Sequence, residues 1–341
     1  MKQITAIAIS GGIDSLAAAY LLKKQGHDVT GLHFVTGYEA KAPMSLISDQ
    51  LGITIKNIDC KAAFKANVVD YFIRAYQTGK TPNPCIVCNL SIKFGLMLDL
   101  ARKLGASSLA TGHYARIKKD DESRFHLLKG MDPAKDQSYF LAFLSQKQLA
   151  HTCFPLGGMT KSEVIRLANE KGLTPVIKNE SQDICFIKNK RYSDFLALQP
   201  DFDPKPGLIE DMKGSIIGKH KGLHLFTIGQ RRGINCPASE PYYVIRFDTD
   251  NNKLIVGFKK DLLSLECRLT SVNWINQKPV LPVNVFTKLR YRHQTVASTV
   301  FPLDNNKAVI RFKVPQSAVT PGQGAVFYHN DEVLGAGWID I

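Results

Sequence analysis

A short apolar strand, residues 4–9, runs without a linker into Ser10-Gly11-Gly12-Ile13-Asp14-Ser15 and on into an Ala/Leu-rich helix that stops at Gly26. No other feature of the chain restricts its fold as much. Strand, glycine turn and helix in immediate succession make half of a βα unit, which needs a parallel neighbour strand reached by a right-handed crossover. The next residues supply the neighbours: strands at 28–34 and 53–58, helices at 44–51 and 62–75, a strong helix at 91–104 and a short buried strand at 108–111. A further helical region is expected across 145–170. The rhythm predicts an α/β domain with a doubly wound parallel sheet.

Character changes near residue 199. Residues 200–207 hold three prolines and a glycine, as a linker does. Beyond them, short alternating runs at 242–247, 253–256, 283–289, 308–312 and 324–328 are separated by Gly, Pro and Asn/Asp. That is the pattern of small all-β units. The expected organisation is a catalytic domain over 1–199, a small central β-rich domain over 200–263 and a C-terminal β-barrel over 264–341, with Trp274 near the start of the last.

The loop after the first strand carries chemistry. Two glycines let the backbone approach a ligand, and the N–H groups of the helix start point at it. Ser10 and Ser15 add hydroxyls, and Asp14 can hold magnesium or cap the helix. The loop lacks the Gly-Lys-Ser/Thr ending of a Walker A motif and the third glycine of a dinucleotide fingerprint, which argues against γ-phosphate transfer and nicotinamide chemistry. It resembles the pyrophosphate loop (PP-loop) of the N-type ATP pyrophosphatases, which split ATP between the α and β phosphates and adenylate a carbonyl or amide oxygen.

Charge points to the second substrate. The chain has a formal net charge of +14, with 26 Lys and Arg against 17 Asp and Glu in residues 1–200 and 18 against 13 in residues 201–341. Residues 212–239 and 267–303 contain no acid, and each stretch has five basic side chains. Basic stretches in separate domains favour an extended polyanion over a merely soluble surface. No run approaches the roughly 18 to 20 apolar residues that span a bilayer, and the N-terminus has no cleavage site. A cytoplasmic protein with no membrane partner is expected.

Seven cysteines in such a chain are expected to be reduced rather than a disulfide framework. Cys60, Cys153, Cys236 and Cys267 stand alone and read as packing residues. Cys85 and Cys88 are three apart in Thr81-Pro-Asn-Pro-Cys85-Ile-Val-Cys88-Asn89, just before the helix expected at 91. The positive end of a helix dipole there lowers a thiol pKa. Structural zinc needs two further ligands, and no second Cys-x-x-Cys follows. Thioredoxin-like redox chemistry does not sit with a pyrophosphate loop at the start of the domain. By residue type alone, Cys185 in Ser181-Gln182-Asp183-Ile184-Cys185-Phe186-Ile187 reads as a buried cysteine.

Together these blocks resemble the tRNA-specific 2-thiouridylases nearly from end to end: SGGIDS, TPNPCIVCN with SIKFG, ATGHYAR at 110–116, KDQSYFL at 135–141, FPLGGMTKSEV at 154–164, SQDICFI, FTIGQRRG at 226–233, LRYR at 289–292 and TPGQGAVFY at 320–328. The resemblance implies a PP-loop ATP pyrophosphatase domain, a small central domain and a C-terminal β-barrel. It implies ATP-dependent adenylation of the two-position oxygen of the wobble uridine, followed by its replacement with sulfur and release of AMP and pyrophosphate. By motif, ATP with Mg2+ lies along Ala8, Ile9, Ser10, Gly11, Gly12, Ile13, Asp14 and Ser15, with Phe34 near the adenine and Gly112 closing the site. Cys185 matches the persulfide carrier, and Cys88 the thiol that attacks it and leaves a disulfide. Asn83, Pro84 and the adjoining Cys85 approach the target base; Lys135, Asp136, Gln137, Arg290 and Tyr291 match tRNA contacts. Partners are tRNA and a sulfur donor, which is a sulfur-carrier protein, a cysteine desulfurase or free sulfide. A monomer is expected.

The chain departs from the family at three places. Many relatives read PNPD-x-x-C, with an acid/base aspartate where this chain has Cys85, and the segment before Cys185 is Ser-Gln-Asp-Ile rather than Ser-Thr-Gly-Ile. Residues 36–43 are shorter and have no functional reading. Three cysteines, Cys85, Cys88 and Cys185, suit a [4Fe–4S] cluster with one open iron that binds hydrosulfide, so this route stands beside the persulfide one. The competing reading is another PP-loop adenylating enzyme, such as an amidating synthetase or a different tRNA thiolase.

Overall fold

The computed structural model describes residues 4–39, 42–177, 184–187, 191–200 and 202–340. Strands β1 (Ile4–Ala8), β2 (Asp28–Val35), β3 (Ile55–Asp59), β4 (Ser108–Ala110) and a later two-residue strand, Thr152–Cys153, form one sheet. β1 pairs parallel with β2 and β4, β2 with β3, and β4 with Thr152–Cys153. The spatial order is β3-β2-β1-β4-(Thr152–Cys153). The chain reverses direction of winding between β1 and β4, so their carboxyl ends open the crevice in which α/β sheets bind ligands. Helix α1 (Ile13–Lys24) buries Ser15, Leu16, Ala17, Ala18, Ala19 and Leu22. Small side chains let it lie close to the sheet, together with α2 (Met44–Leu51), which buries Ile47 and Leu51.

The helix expected at 91–104 starts seven residues earlier and runs from Pro84 to Lys103. Asn83 caps it by accepting from the Ile86 N–H at 3.3 Å, and Pro84 sits in the first turn, where its missing N–H does no harm. Both motif cysteines are therefore inside the helix rather than in a loop before it. By length and composition alone this helix could cross a membrane, contrary to the expectation that no segment qualifies. It buries Ile86, Ile92, Phe94, Met97, Leu98 and Ala101 in the domain core, and its apolar character is accounted for there.

The helical region expected across 145–170 is two helices with a strand between them. Ser145 with Gln148 and Thr160 with Glu163 each form a capping box, so helices restart at Gln146–Leu149 and at Lys161–Glu170. Pro155, Gly157 and Gly158 break the intervening segment.

Residues 115–129, which have no element in the sequence reading, form a hairpin, β5 (Ala115–Lys119) and β6 (Phe125–Lys129). With Thr152–Cys153 as β7, the central domain is a four-stranded sheet of β8 (Gly207–Glu210), β9 (Ile216–His220), β10 (Tyr243–Asp248) and β11 (Lys253–Gly257) in the order β10-β11-β8-β9. The barrel closes from β12 (Leu263–Trp274), β13 (Val283–Lys288), β14 (Val296–Pro302), β15 (Ala308–Ser317), β16 (Gly324–His329) and β17 (Glu332–Asp340), with β12 pairing both β15 and β17. β17 also pairs antiparallel with β6, so the hairpin of the first domain continues the barrel sheet.

His126 of β6 locks this junction. Its Nδ1 is 2.7 Å from Glu332 Oε1 and its Nε2 is 3.0 Å from Asp120 Oδ2. A ring between two carboxylates donates from both nitrogens, and the hydrogen bonds to Asp120 and Glu332 raise its pKa above 6.5. His126 thus adds stability that is complete below about 6.5 and is lost as pH rises through its raised folded value. Asp120, whose pKa is lowered by the same hydrogen bond, adds stability that is lost as pH falls through its folded value, below 3.8. The melting temperature of the wild type is therefore expected to fall more steeply than that of His126→Gln as pH is raised from 7 to 9. Parallel melting curves would remove the clamp.

Candidate active site

β1 ends at Ala8, and the residues after it turn on Gly11, whose φ of +90° is a conformation that glycine adopts without strain. A side chain there would also meet Val176 Cγ2 at 3.0 Å, because Ile177 donates its N–H to Gly11 O at 3.0 Å. Ser15 Oγ donates to Gly12 O at 2.8 Å and lies 3.3 Å from both the Ser10 N–H and Ser10 Oγ. Gly12 gives α1 no side-chain cap, and uncapped N–H groups at a helix start favour an anion. Gly112 follows β4 and crosses the loop so closely that a Cβ on it would come within 2.9 Å of the Asp14 carbonyl carbon. Phe34, next to the end of β2, is partly buried between the two core clusters beside the crevice.

Asp14 is the loop's only carboxylate, and its oxygens are engaged. Lys161 Nζ is 2.7 Å from Oδ1 and 2.9 Å from Oδ2, and the Tyr114 hydroxyl donates to Oδ1 at 2.7 Å. Lys161 is 9% exposed. Neither Lys161 nor Tyr114 stood out in the sequence, although both lie in quoted blocks, FPLGGMTKSEV and ATGHYAR.

The thiols Cys85 and Cys88 lie near Lys93, on the helix Pro84–Lys103. Cys88 opens a π-wound stretch, Cys88–Met97, that closes on i→i+5 bonds such as Leu98 N–H to Lys93 O. Such windings recur at functional sites. Burial pushes the Cys88 thiol up to about 12, against the lowering effect of Lys93 and with Cys185 and Cys85 adding to the rise. Solvent reaches Cys85, yet desolvation by the surrounding protein, followed by the neighbouring Cys185, pushes its thiol up to about 11. The helix-dipole expectation of lowered thiol pKa values is therefore reversed, because desolvation outweighs the dipole. The expected buried environment of Cys185 is also corrected: its side chain is exposed, while Phe186 beside it is buried among Phe64, Phe72 and Phe195. Ser181, Gln182 and Asp183 lie outside the described residues.

Cys85, Cys88 and Cys185 are thus brought within electrostatic reach of one another. All seven cysteines are free thiols. Among the described residues, no three His, Cys, Asp or Glu side chains are gathered closely enough to ligate a metal.

Lys93 and His113 join the two halves of the crevice. Lys93 Nζ is 3.4 Å from His113 Nε2, and Thr111 Oγ1 is 2.6 Å from Nδ1. An ammonium only donates, so Nε2 accepts and Nδ1 carries the proton. Burial, then Lys93, hold His113 neutral with a pKa well below the usual value.

The barrel reaches the cysteine helix directly. Gln323 Nε2 donates to Thr81 O at 3.0 Å and Pro82 O at 3.1 Å, and the Thr81 N–H donates to Pro321 O at 2.9 Å. Tyr139 OH donates to Gly324 O at 2.9 Å. Tyr291 packs on Phe140 with ring centroids 4.4 Å apart, which joins the LRYR and KDQSYFL segments. Arg290 is exposed and Lys135 partly so. Asp136 is buried, accepting from the Gly130 and Ser138 N–H groups and from Ser138 Oγ, and Gln137 Oε1 accepts from the Tyr114 N–H. Asn83 is buried as the helix cap, and Asn89 Nδ2 donates to Phe140 O at 3.2 Å while its Oδ1 has no partner.

A parallel sheet whose first strand ends in this glycine loop, with a second glycine crossing over it from β4, defines the PP-loop class. The family profiles described as tRNA methyl transferase HUP domain, PRC-barrel domain and Aminomethyltransferase beta-barrel domain match residues 3–189, 193–258 and 264–339. The chain is 52% identical over 339 residues to the protein named tRNA-specific 2-thiouridylase MnmA of Desulfosudis oleivorans, covering 98% of this chain and 94% of that one. It is 44% identical to the protein of the same name from Geobacter metallireducens (98% and 96% covered) and to that from Chlorobium phaeobacteroides (99% and 98%). The chain belongs to the tRNA-specific 2-thiouridylase family.

Proposed function

We propose that this protein is an ATP-dependent tRNA-uridine 2-sulfurtransferase acting on the wobble uridine. The observation that carries the reading is that the three thiols act on one another close to Lys93, whose hydrogen bond to His113 leads to the glycine against Asp14 of the pyrophosphate loop. ATP lies along residues 8–15 with its adenine toward Phe34, and the uridine two-position oxygen attacks the α-phosphate, releasing pyrophosphate. A urea-like carbonyl is a poor electrophile, and AMP makes its oxygen a leaving group. Magnesium, when bound, would offset phosphate charge at Asp14, which fits provided that Lys161 lets go of the carboxylate.

Sulfur then arrives from a persulfide on Cys185. The Cys88 thiolate attacks Cys185 Sγ, forming a Cys88–Cys185 disulfide and expelling hydrosulfide, which displaces AMP from C2. The disulfide is returned to thiols by an external dithiol. Sulfur must come as persulfide, because a plain thiolate would leave the base bound to protein. The alternative is hydrosulfide on a [4Fe–4S] cluster, which Cys85, Cys88 and Cys185 would hold, since the three thiols lie within electrostatic reach of one another. Exposure of Cys185 suits persulfide transfer from a sulfur-carrier protein or a cysteine desulfurase, whereas free sulfide, already fully reduced, would serve only the cluster route. Lys135, Arg290 and Tyr291 form the tRNA-facing edge, whereas Asn83, Asp136 and Gln137 act by shaping it. The protein works in the cytoplasm as a monomer with three domains, 1–199, 200–263 and 264–341.

Nucleoside mass spectrometry of tRNA from a deletion strain is expected to show loss of 2-thiouridine derivatives. Retention would remove the reading in favour of a different PP-loop adenylating enzyme. Anaerobic purification with iron and sulfide analysis separates the sulfur routes: a colourless, iron-free, fully active protein supports the persulfide, and stoichiometric iron lost in Cys85→Ala supports the cluster.

A further inference from the structure

We propose that the cleft between the barrel and the cysteine helix is a nucleobase site, which takes one unpaired base of the bound tRNA. The proposal rests on the tRNA reading above and names a part of the RNA that the protein holds.

The cleft has a volume of about 410 Å³ and draws on two domains. Leu90, on the helix Pro84–Lys103, and Phe143 line it from the first domain. β12, β17 and the turn between β14 and β15 line it from the barrel. Its wall is aromatic: Phe143 and Trp338 stack with ring centroids 4.7 Å apart and 25° between their planes. Its rim is polar. Ser271, Asn305 and Asn306 are exposed, and their side chains make no hydrogen bond among the described residues. The rim is also held in place. The Val272 N–H donates to Asn306 O at 2.7 Å, and Asn273 Nδ2 donates to Ala142 O and Leu144 O at 3.0 and 3.2 Å. Ser271, in the bulge of β12, keeps a φ of +49°, a conformation that serine rarely adopts.

The lining selects the occupant. Among the described residues no charged side chain lines the cleft, so a phosphate or carboxylate inside it would have no counter-charge. An acyl chain or an apolar peptide side chain would cover the polar rim and pair none of it. A nucleobase meets both halves. Its face extends the Phe143–Trp338 stack, and its edge meets amides that both donate and accept. The surroundings favour a base carried on a phosphate chain. Residues 267–303 contain no acid. Lys278, which donates to Leu303 O at 2.7 Å, and Lys307 flank the β14–β15 turn against one carboxylate, Asp304. Asp340, two residues beyond Trp338, is already paired with Lys80 at 3.1 Å. A base seated here touches the barrel and the helix of Cys85 and Cys88 together, so docking of the RNA bears on both.

The test uses the full chain and an unmodified tRNA transcript with uridine at the wobble position. Trp274 and Trp338 are the only tryptophans, and Trp274 packs on Phe327 in the barrel core. Trp274→Phe therefore leaves Trp338 as the reporter, and the transcript is expected to quench its emission, as a stacked base does to an indole. Asn305→Gly/Asn306→Gly, which suits the positive φ of both positions, is expected to weaken the transcript about tenfold, the range of one or two hydrogen bonds. Trp338→Leu, followed by filter binding, is expected to weaken it by about 10- to 100-fold, and Trp338→Phe to recover most of that loss. Tight binding without a quench, or undiminished binding by the glycine pair or by Trp338→Leu, overturns the proposal. Equal quenching by free nucleosides at the concentration of the transcript overturns the assignment to RNA. A wild type that does not bind the transcript overturns the tRNA reading and this proposal with it. A measurement that needs no variant guards against misfolding: ultraviolet crosslinking of the transcript to the wild type, read by peptide mass spectrometry, is expected to label a peptide that holds Phe143 or Trp338. Crosslinks confined to other peptides overturn the proposal.

Discussion

Cys88→Ser is expected to lower 2-thiouridine formation by about a thousandfold or more, because a hydroxyl cannot open a persulfide and residues that act as a unit fail together. ATP–pyrophosphate exchange on the same preparation separates this loss from a loss of adenylation. The pH dependence adds an independent check. Burial pushes the Cys88 thiol up to about 12, so the protonated form dominates at neutral pH and the reactive thiolate grows as pH rises. The single-turnover rate of sulfur transfer in the wild type is therefore expected to climb about tenfold per pH unit from 7 to 9. A Cys88–Cys185 disulfide should accumulate in step with it. Full thiolation by Cys88→Ser, or a flat profile with no disulfide, would remove Cys88 from the mechanism.

Gly112→Ala should affect the other half of the reaction. The added methyl would come within 2.9 Å of the Asp14 carbonyl carbon, 3.1 Å of Asp14 Cβ and 3.1 Å of Asp14 O. Backbone is its main obstacle, so no side chain can swing aside. Either the pyrophosphate loop or the strand end must move by several tenths of an ångström. Misplacement by about 1 Å at a reacting centre costs about a hundredfold, and ATP–pyrophosphate exchange is expected to fall by that order. The fold should survive, because β4 remains paired with β1 through Thr5, Ala6 and Ile7. Exchange at the wild-type rate would mean that Gly112 does not close on the loop.

The two predictions separate the two chemistries of one crevice, and the structure gives them a common frame. Lys93 lies between them, hydrogen-bonded to His113 next to Gly112 and acting on the pKa of Cys88. The Ile177 N–H on Gly11 O ties the chain that leads toward Cys185 to the pyrophosphate loop. The glycine loop and the segment that leads to Cys185 are therefore mechanically coupled. The barrel is part of the same assembly, since Gln323 holds the carbonyls of Thr81 and Pro82 just ahead of the cysteine helix.

The sequence by itself determined the parallel sheet, the glycine loop at the start of the first helix and the all-β character of the second half. These are local signals: a buried strand is a run of apolar residues, a phosphate loop is a glycine string at a helix start, and both are written within a dozen positions. Tertiary structure decided the rest. Hairpin β5–β6 has a pattern too mixed to read, because one partner of its sheet is β17, some 200 residues away. The 145–170 helix broke where two capping boxes and Pro155, Gly157 and Gly158 outweighed a continuous helical pattern. The cysteine pKa values turned from the lowering expected of a helix start to a rise, because desolvation depends on what packs around a thiol. Lys161 acquired its meaning only when folding set it against Asp14, 147 residues earlier in the chain. Spacing along a chain specifies elements, whereas the charge environment of a site comes from contacts between distant segments, and those exist only in the folded protein.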